Sequence, residues 1–292
     1  MQHQDVKTTA LMTGSRRRRV DRRGFNIEAV QVASVHSGKS CYIISFAVFA
    51  HPSLRARIIG TSVQYLQLSL FACAFLANYA GNLFARHVAD RMHLALGFSA
   101  GTVLAAAFFI FMPQAVLRGG SARSVDGLLT FVGLGFVIAL LVDRFGFLWI
   151  IGGHRAMQEH RAHGVLNGAA VGFAHHVSPA ICGLVAAALL THEFSDSAAV
   201  VSELRGNPPG DALRTCAISS LCFAAGFAAT GFYSVPPAVL GAGLAVFGGY
   251  FIYLSASDLI PESHHSHPQL LTAGLTFGGV GALYLASYVL VR

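Results

Sequence analysis

Charged residues are scarce in this sequence. Asp, Glu, Lys and Arg together make up 11% of its 292 residues, whereas about a quarter of an ordinary soluble domain is charged. Hydrophobic residues make up 54%. The sequence lacks the polar residues with which a soluble domain covers its surface, and its composition is typical of a protein embedded in a lipid bilayer.

Paired cysteines are also absent. The five cysteines, at positions 41, 73, 182, 216 and 222, are an odd number and form no C-x-x-C motif. This pattern supports neither a disulfide framework nor a thiolate zinc site. Most of them lie in apolar runs, where we expect them to act as small packing residues.

Residues 1–57 lack a long apolar run, yet they carry ten of the twenty Lys and Arg residues of a chain whose net charge is +7. Their longest apolar run, CYIISFAVFA, has ten residues, and a span needs about twenty. No long apolar core follows the arginines, so the segment does not resemble a secretory signal. We expect a basic, disordered N-terminal tail over 1–57, and we predict no nucleic-acid partner.

Long apolar runs follow one another from residue 58 onward, separated by short polar breaks that Pro and Gly mark. The sequence predicts an all-α integral membrane protein whose transporter domain, residues 58–292, is an eight-transmembrane-helix bundle in the lipid bilayer. The predicted spans are 58–84, 94–117, 126–149, 161–178, 180–204, 212–233, 236–256 and 268–290.

The arginines of the predicted loops indicate the orientation. Seven fall on one side of the membrane and three on the other. Cytoplasmic loops carry an excess of Lys and Arg, so both ends of the eight-helix unit are predicted to lie outside the cytoplasm. We expect a multi-pass protein of the cell (inner) membrane.

The run His192-Glu193-Phe194-Ser195-Asp196 places an imidazole and two carboxylates inside the fifth predicted span. An Asp at the centre of a membrane helix costs about 2.5–3.5 kcal/mol. These side chains therefore need partners, a water-filled cavity or a bound cation. His192 and Asp196 are four residues apart and share a helix face, while Glu193 lies about 100° away. This spacing predicts a metal or proton site.

The fourth predicted span brings a second set of ligands. His160 and His163 are three residues apart, and Asn167 lies four residues after His163, so one helical face carries two imidazoles and an amide. A single histidine in a membrane helix is more often a hydrogen-bonded packing residue. Two ligand-bearing helices that are adjacent in sequence favour a cation site between them.

The seventh predicted span ends in polar residues. Asp258 and Glu262 are four residues apart, although Pro261 between them is able to end the regular helix. His264 and His265 follow directly. These histidines form either a metal-capturing cluster or simply a polar loop.

Three segments resemble the ZIP (Zrt/Irt-like) family of divalent metal transporters. They are LALGFSAGTVLAAAFFIFMPQAV in the second span, HEFSDS in the fifth and SDLIPESHH at the end of the seventh. Over residues 58–292 the chain is similar to a divergent, bacterial-type member of that family. The resemblance implies a metal site near the midplane, formed by the fourth and fifth helices.

The family patterns H-N-x-P-D/E-G and H-E-x-P-E/H-G/E fall on residues 163–168 and 192–197. Leu166 and Ser195 replace the two prolines, and a sixth-helix carboxylate of many members falls at about Phe223. The resemblance therefore implies one metal ion rather than two. The ligands that it implies are His163, Asn167, His192, Glu193 and Asp196, with Asn167 standing where a carboxylate is usual.

The implied protein is a transporter, not an enzyme, and has no resident cofactor. It moves a divalent metal ion toward the cytoplasm, Zn²⁺ before Fe²⁺ or Mn²⁺, because imidazole and oxygen ligands suit these ions. ZIP relatives suggest a homodimer. The implied exit pathway passes Asp258, Glu262, His264 and His265.

Other functions stay open at this point. One is a non-transporting relative that only binds metal. Another is an intramembrane zinc metalloenzyme, although no H-E-x-x-H signature occurs. The third is a haem protein with two axial histidines from the fourth and fifth helices.

Overall fold

The structure is a computed structural model, which describes residues 18–20, 26–28, 52–88, 91–120, 123–145, 155–203, 209–264 and 269–291. It consists of two compact units, Met1–Ser62 and Val63–Arg292. In the first unit, strand β1 (Arg18–Val20) pairs antiparallel with β2 (Asn26–Glu28). The expectation of disorder for the remaining residues up to 51 lies outside the described residues.

Helices account for the rest of the regular structure in the described ranges. Two pairs of them are continuous through a π-helical turn: Ala106–Phe111 joins α2 to α3, and Leu254–Leu259 joins α8 to α9. The helices are α1 Pro52–His87, α2 Met92–Ala105, α3 Met112–Gly119, α4 Val125–Phe145, α5 Arg155–His175, α6 Pro179–Glu203, α7 Pro209–Gly231, α8 Pro237–Tyr253, α9 Ile260–His264 and α10 Gln269–Val291.

Six of these helical segments are long and apolar enough to cross a bilayer, among the residues that the structure describes. They include α1, α4, α7, α10 and the two continuous pairs. The chain is thus an all-α, multi-pass membrane protein. Helices α5 and α6, which carry the predicted metal ligands, are absent from this set. We attribute this to their buried polar side chains, and the eight-span bundle stays a prediction.

Each π-helical turn lies just before a proline. Pro113 follows the first turn and Pro261 lies in α9 after the second. Proline has no N–H and its ring clashes with the carbonyl four residues earlier, and a wider turn absorbs that clash while the helix continues. Pro261 therefore does not end the helix, since α9 runs on to His264.

Glycines let pairs of helices approach to backbone contact. A Cβ added at Gly168 of α5 would clash with the carbonyl oxygen of Phe223 in α7, and one at Gly226 of α7 would clash with that of Val165 in α5. Such small-residue contacts are typical of helix packing in membranes. They fix α5 against α7 beside the predicted ligands.

Candidate metal centre

Helices α5 and α6 form an antiparallel hairpin with a short turn at residues 176–178. The hydroxyl of Ser178 accepts the backbone N–H of Ile181 at 3.1 Å, and Pro179 follows as the first helical residue of α6. Ser before a helix and Pro at its first position are the preferred start signals. In such a hairpin, residues at similar distances from the turn face each other.

The hairpin brings His163, His192 and Asp196 together. One ligand atom from each of the three lies within 4.8 Å of the others. The two imidazole rings are 5.9 Å apart between centroids, and His163 Nδ1 is 3.8 Å from Asp196 Oδ2. We call these three residues the imidazole cluster. No other group of three such ligands occurs among the described residues.

His192 is the most informative member of the imidazole cluster. It is only 1% exposed, and neither of its ring nitrogens has a hydrogen-bond partner. Buried polar atoms are nearly always hydrogen-bonded, because leaving them unpaired is costly. A cation bound between His192 and its neighbours would satisfy one of these nitrogens.

Two members of the imidazole cluster are partly exposed. The side chains of His163 and Asp196 are 21% and 20% exposed, whereas His192 is 1% exposed. Tyr250 of α8 lies next to His163, with ring centroids 6.5 Å apart. Its buried hydroxyl has no hydrogen-bond partner. It is therefore a second buried polar group near the cluster whose hydrogen-bonding capacity is unsatisfied.

His160 lies beside the imidazole cluster and forms a hydrogen bond with Asp196, the carboxylate of the cluster. Its Nδ1 donates to Asp196 Oδ2 at 2.6 Å, and its ring is fully enclosed. The sequence places His160 on the same face as His163 without giving it a role. A signal was available in the sequence, because His160 and Asp196 are at equal distances along the chain from Ser178, the last residue of the hairpin turn.

Glu193 and Asn167 belong to a different set of contacts. Asn167 Nδ2 donates to Glu193 Oε1 at 2.8 Å, and Asn78 Nδ2 of α1 donates to Glu193 Oε2 at 3.1 Å. Glu193 is not part of the imidazole cluster, and the Asn167 amide contacts Glu193. The sequence did not identify Asn78 as a contact of Glu193. The only indication there is that Asn78 is a polar residue inside the apolar run of the first predicted span.

The predicted exit residues are not drawn into the imidazole cluster. Asp258 lies in the second π-helical turn and Glu262 in α9, and both are exposed. His264 Nδ1 donates to the carbonyl oxygen of Ile260 at 2.7 Å, which leaves Nε2 as its available ligand atom. His265 lies outside the described residues.

Helix α7 packs its backbone against Gly168, the residue after Asn167. Phe223 is fully buried, and an added Cβ at Gly168 would clash with its carbonyl oxygen. The side chain at this position is apolar and offers no metal ligand. The expectation of a single transition-metal ion stays a prediction.

No protein-family model matches this chain, and none of the curated proteins matches it. Its likeness to the ZIP family therefore rests on the sequence segments quoted above.

Proposed function

We propose that the protein is a ZIP-like transporter that carries a divalent transition metal, Zn²⁺ foremost, through the imidazole cluster toward the cytoplasm. One observation carries this proposal: His192 is buried with both ring nitrogens unpartnered, beside a second imidazole and a carboxylate. In this proposal α5 and α6 also cross the membrane, which completes an eight-helix bundle. Ionisable residues at membrane depth commonly mark ion pathways.

The ligand set suits a transported ion. Two imidazole nitrogens and one carboxylate oxygen are ligands that Zn²⁺, Fe²⁺ and Mn²⁺ accept, without a thiolate that would retain a soft metal. Three protein ligands leave at least one coordination position for water or for the next ligand on the pathway. The exposed edges of His163 and Asp196 admit the ion, and Asp258, Glu262 and the adjacent histidines provide oxygen and nitrogen ligands for its departure.

A zinc metalloenzyme is the second candidate, because three protein ligands with an open position also describe a catalytic zinc site. Such an enzyme needs a base near the metal-bound water. Glu193, which follows His192 directly in the sequence, is the nearest carboxylate outside the imidazole cluster. Both of its oxygens, however, accept hydrogen bonds from amides. This arrangement favours transport over hydrolysis.

Metal flux into proteoliposomes tests the proposed function. Purified full-length protein is reconstituted around a trapped zinc-sensitive dye, and external Zn²⁺ is added with or without Fe²⁺, Mn²⁺ or Cd²⁺ as competitor. We expect saturable zinc entry that empty liposomes lack and that competing metals reduce. Saturable zinc binding to the purified protein without any flux would instead identify a non-transporting metal-binding protein and contradict the proposal.

Metal binding is expected to weaken as the pH falls. Imidazoles ligate only in their neutral form, so protons compete with the metal at His163 and His192. The apparent zinc affinity should therefore decline as the pH falls, with up to two protons released per ion where the imidazoles are protonated before binding. Isothermal titration at several pH values measures this, and a pH-independent affinity would contradict imidazole ligation.

His160→Ala is expected to weaken zinc binding by about 10–100-fold, the usual effect of losing the group that orients a metal ligand. The substitution frees the Asp196 carboxylate from its 2.6 Å hydrogen bond. His160→Asn keeps an N–H near the position of Nδ1 and should restore part of the loss. The zinc affinities of both variants test whether His160 orients Asp196. Equal affinities of His160→Ala and the wild type would contradict this role.

A further inference from the structure

Tyr250 of α8 is a buried polar side chain to which the proposed function gives no role. It is 7% exposed, and its hydroxyl has no hydrogen-bond partner. A buried hydroxyl without a partner is costly. The ring alone does not explain the residue, because a phenylalanine would fill the same space beside Phe251, whose ring lies 5.1 Å away between centroids. The hydroxyl therefore needs a partner that the described side chains do not supply.

The surroundings of Tyr250 indicate where this partner would lie. Its ring meets that of His163 edge-on, at an angle of 72° and a centroid distance of 6.5 Å. Asp196, Asp258 and Glu193 are carboxylates that interact electrostatically with the Tyr250 side chain, yet none of them is hydrogen-bonded to its hydroxyl. Polar groups separated by more than a hydrogen bond are commonly bridged by water. A water molecule between Tyr250 and the imidazole cluster would satisfy the hydroxyl.

The second π-helical turn brings Asp258 close to the helix face that carries Tyr250. The two residues are eight positions apart, which in a regular α-helix would place them about 80° from each other. The turn Leu254–Leu259 lies between them, and a π-helical turn takes up about one extra residue. The angle between the two residues then falls to about 20°. Tyr250 thus lies between His163 of the imidazole cluster and Asp258, the first residue of the proposed exit pathway.

We propose that the Tyr250 hydroxyl holds a water ligand of the zinc ion in the imidazole cluster, and so acts as a positioning residue. The three protein ligands leave a coordination position for water, and a metal-bound water donates hydrogen bonds. The phenol oxygen accepts one of these while its own O–H donates to a neighbouring carboxylate. The water is then held on the side of the ion that faces Asp258. This inference rests on zinc binding at the imidazole cluster, which is the first step of the proposed function.

Tyr250→Phe tests this role because it removes the hydroxyl and keeps the ring. We expect its zinc affinity to fall about tenfold, the lower end of the usual effect of losing a group that supports a metal site from outside its ligands. Titration calorimetry on the purified full-length protein measures the change. Equal zinc affinities of Tyr250→Phe and the wild type would overturn the inference.

Tyr253→Phe is the matched control. Tyr253 lies three residues further along α8 and is also buried, but its hydroxyl donates to Asp143 Oδ2 of α4 at 2.6 Å. The substitution removes a buried hydroxyl from the same helix without touching the imidazole cluster, so the zinc affinity should stay at the wild-type value. An equal loss of affinity in both variants would show a general effect of packing and would contradict a specific role of Tyr250.

Tyrosine absorption provides a readout that a purely structural role would not change. The near-ultraviolet spectrum of a tyrosine shifts when its hydroxyl gains a hydrogen bond. Saturating Zn²⁺ should therefore produce a tyrosine difference spectrum in the wild type and in Tyr253→Phe, but not in Tyr250→Phe. Because the wild type alone gives the first result, the test does not depend on the folding of a variant. No difference spectrum in zinc-saturated wild type, or the same one in Tyr250→Phe, would overturn the inference.

Binding and flux separate this inference from the proposed function. Zinc binding with a Tyr250-dependent difference spectrum but without flux in proteoliposomes would contradict transport and support the role of Tyr250. Zinc binding and flux that are both unchanged in Tyr250→Phe would contradict only the role of Tyr250. We expect the third result, in which the wild type carries zinc and Tyr250→Phe needs about ten times more zinc for half-maximal flux.

Discussion

The double substitution His192→Ala/Asp196→Ala is expected to abolish saturable zinc binding and zinc flux, with a loss of more than about 100-fold in affinity. Removing a single orienting partner already costs about 10–100-fold, and this variant removes two of the three direct ligands of the imidazole cluster. The remaining His163 provides one imidazole, which does not strip a hydrated ion of its water. Zinc binding by titration calorimetry and flux in proteoliposomes measure the two effects.

Folding is separable from binding in this experiment. The nitrogens of His192 have no hydrogen-bond partner. His192→Ala therefore leaves no other polar group without its hydrogen bond. Asp196→Ala, in contrast, removes the acceptor of His160. Asp196→Asn keeps a carbonyl oxygen for that hydrogen bond and removes only the charge. We therefore expect His192→Ala/Asp196→Asn to fold like the wild type and still fail to bind zinc.

His175→Ala is the matched control. His175 lies in the last turn of α5 and its ring packs against Phe227 and His176, away from the imidazole cluster. It should retain zinc flux and affinity. Wild-type flux in the double variant would show that zinc passes elsewhere, and an equal loss in His175→Ala would show that the effect is not specific to the cluster.

The local part of the site follows from the sequence because it depends on short spacings. His192 and Asp196 lie four residues apart on α6, and His163 lies on the helix just before, so a hairpin suffices to bring them together. The contact of Asn78 with Glu193 joins residues that are far apart in sequence. The spacing of residues along the sequence does not predict such a contact, because the contact depends on which helix packs against the hairpin.

The same distinction applies to the fold. Apolar runs predict the helices well, and the observed bounds differ from the predicted spans mainly at the ends: α1 begins at Pro52 and α9 ends at His264. The extensions share a cause, since helices continue past the apolar core into polar residues. The π-helical turns before Pro113 and Pro261 were not predicted, because proline indicates a break and gives no sign that a wider turn will absorb it.

Gly168→Val is expected to destabilise the protein by about 3 kcal/mol or more, at the upper end of the usual cost of overpacking. Any Cβ at this position meets the carbonyl oxygen of Phe223, which is backbone and is unable to change rotamer. Helices α5 and α7 would have to separate, and the reciprocal contact of Gly226 with the carbonyl of Val165 would open with them. Thermal unfolding in detergent measures the change.

Gly183→Val in α6 is the control, because a Cβ at Gly183 has no neighbouring atom within 4 Å. It changes the same residue type in the same way within an adjacent helix, and we expect its stability to stay within about 0.5 kcal/mol of the wild type. Equal melting temperatures for the two variants would contradict the backbone contact between α5 and α7. A loss of stability in Gly168→Val alone would support that contact.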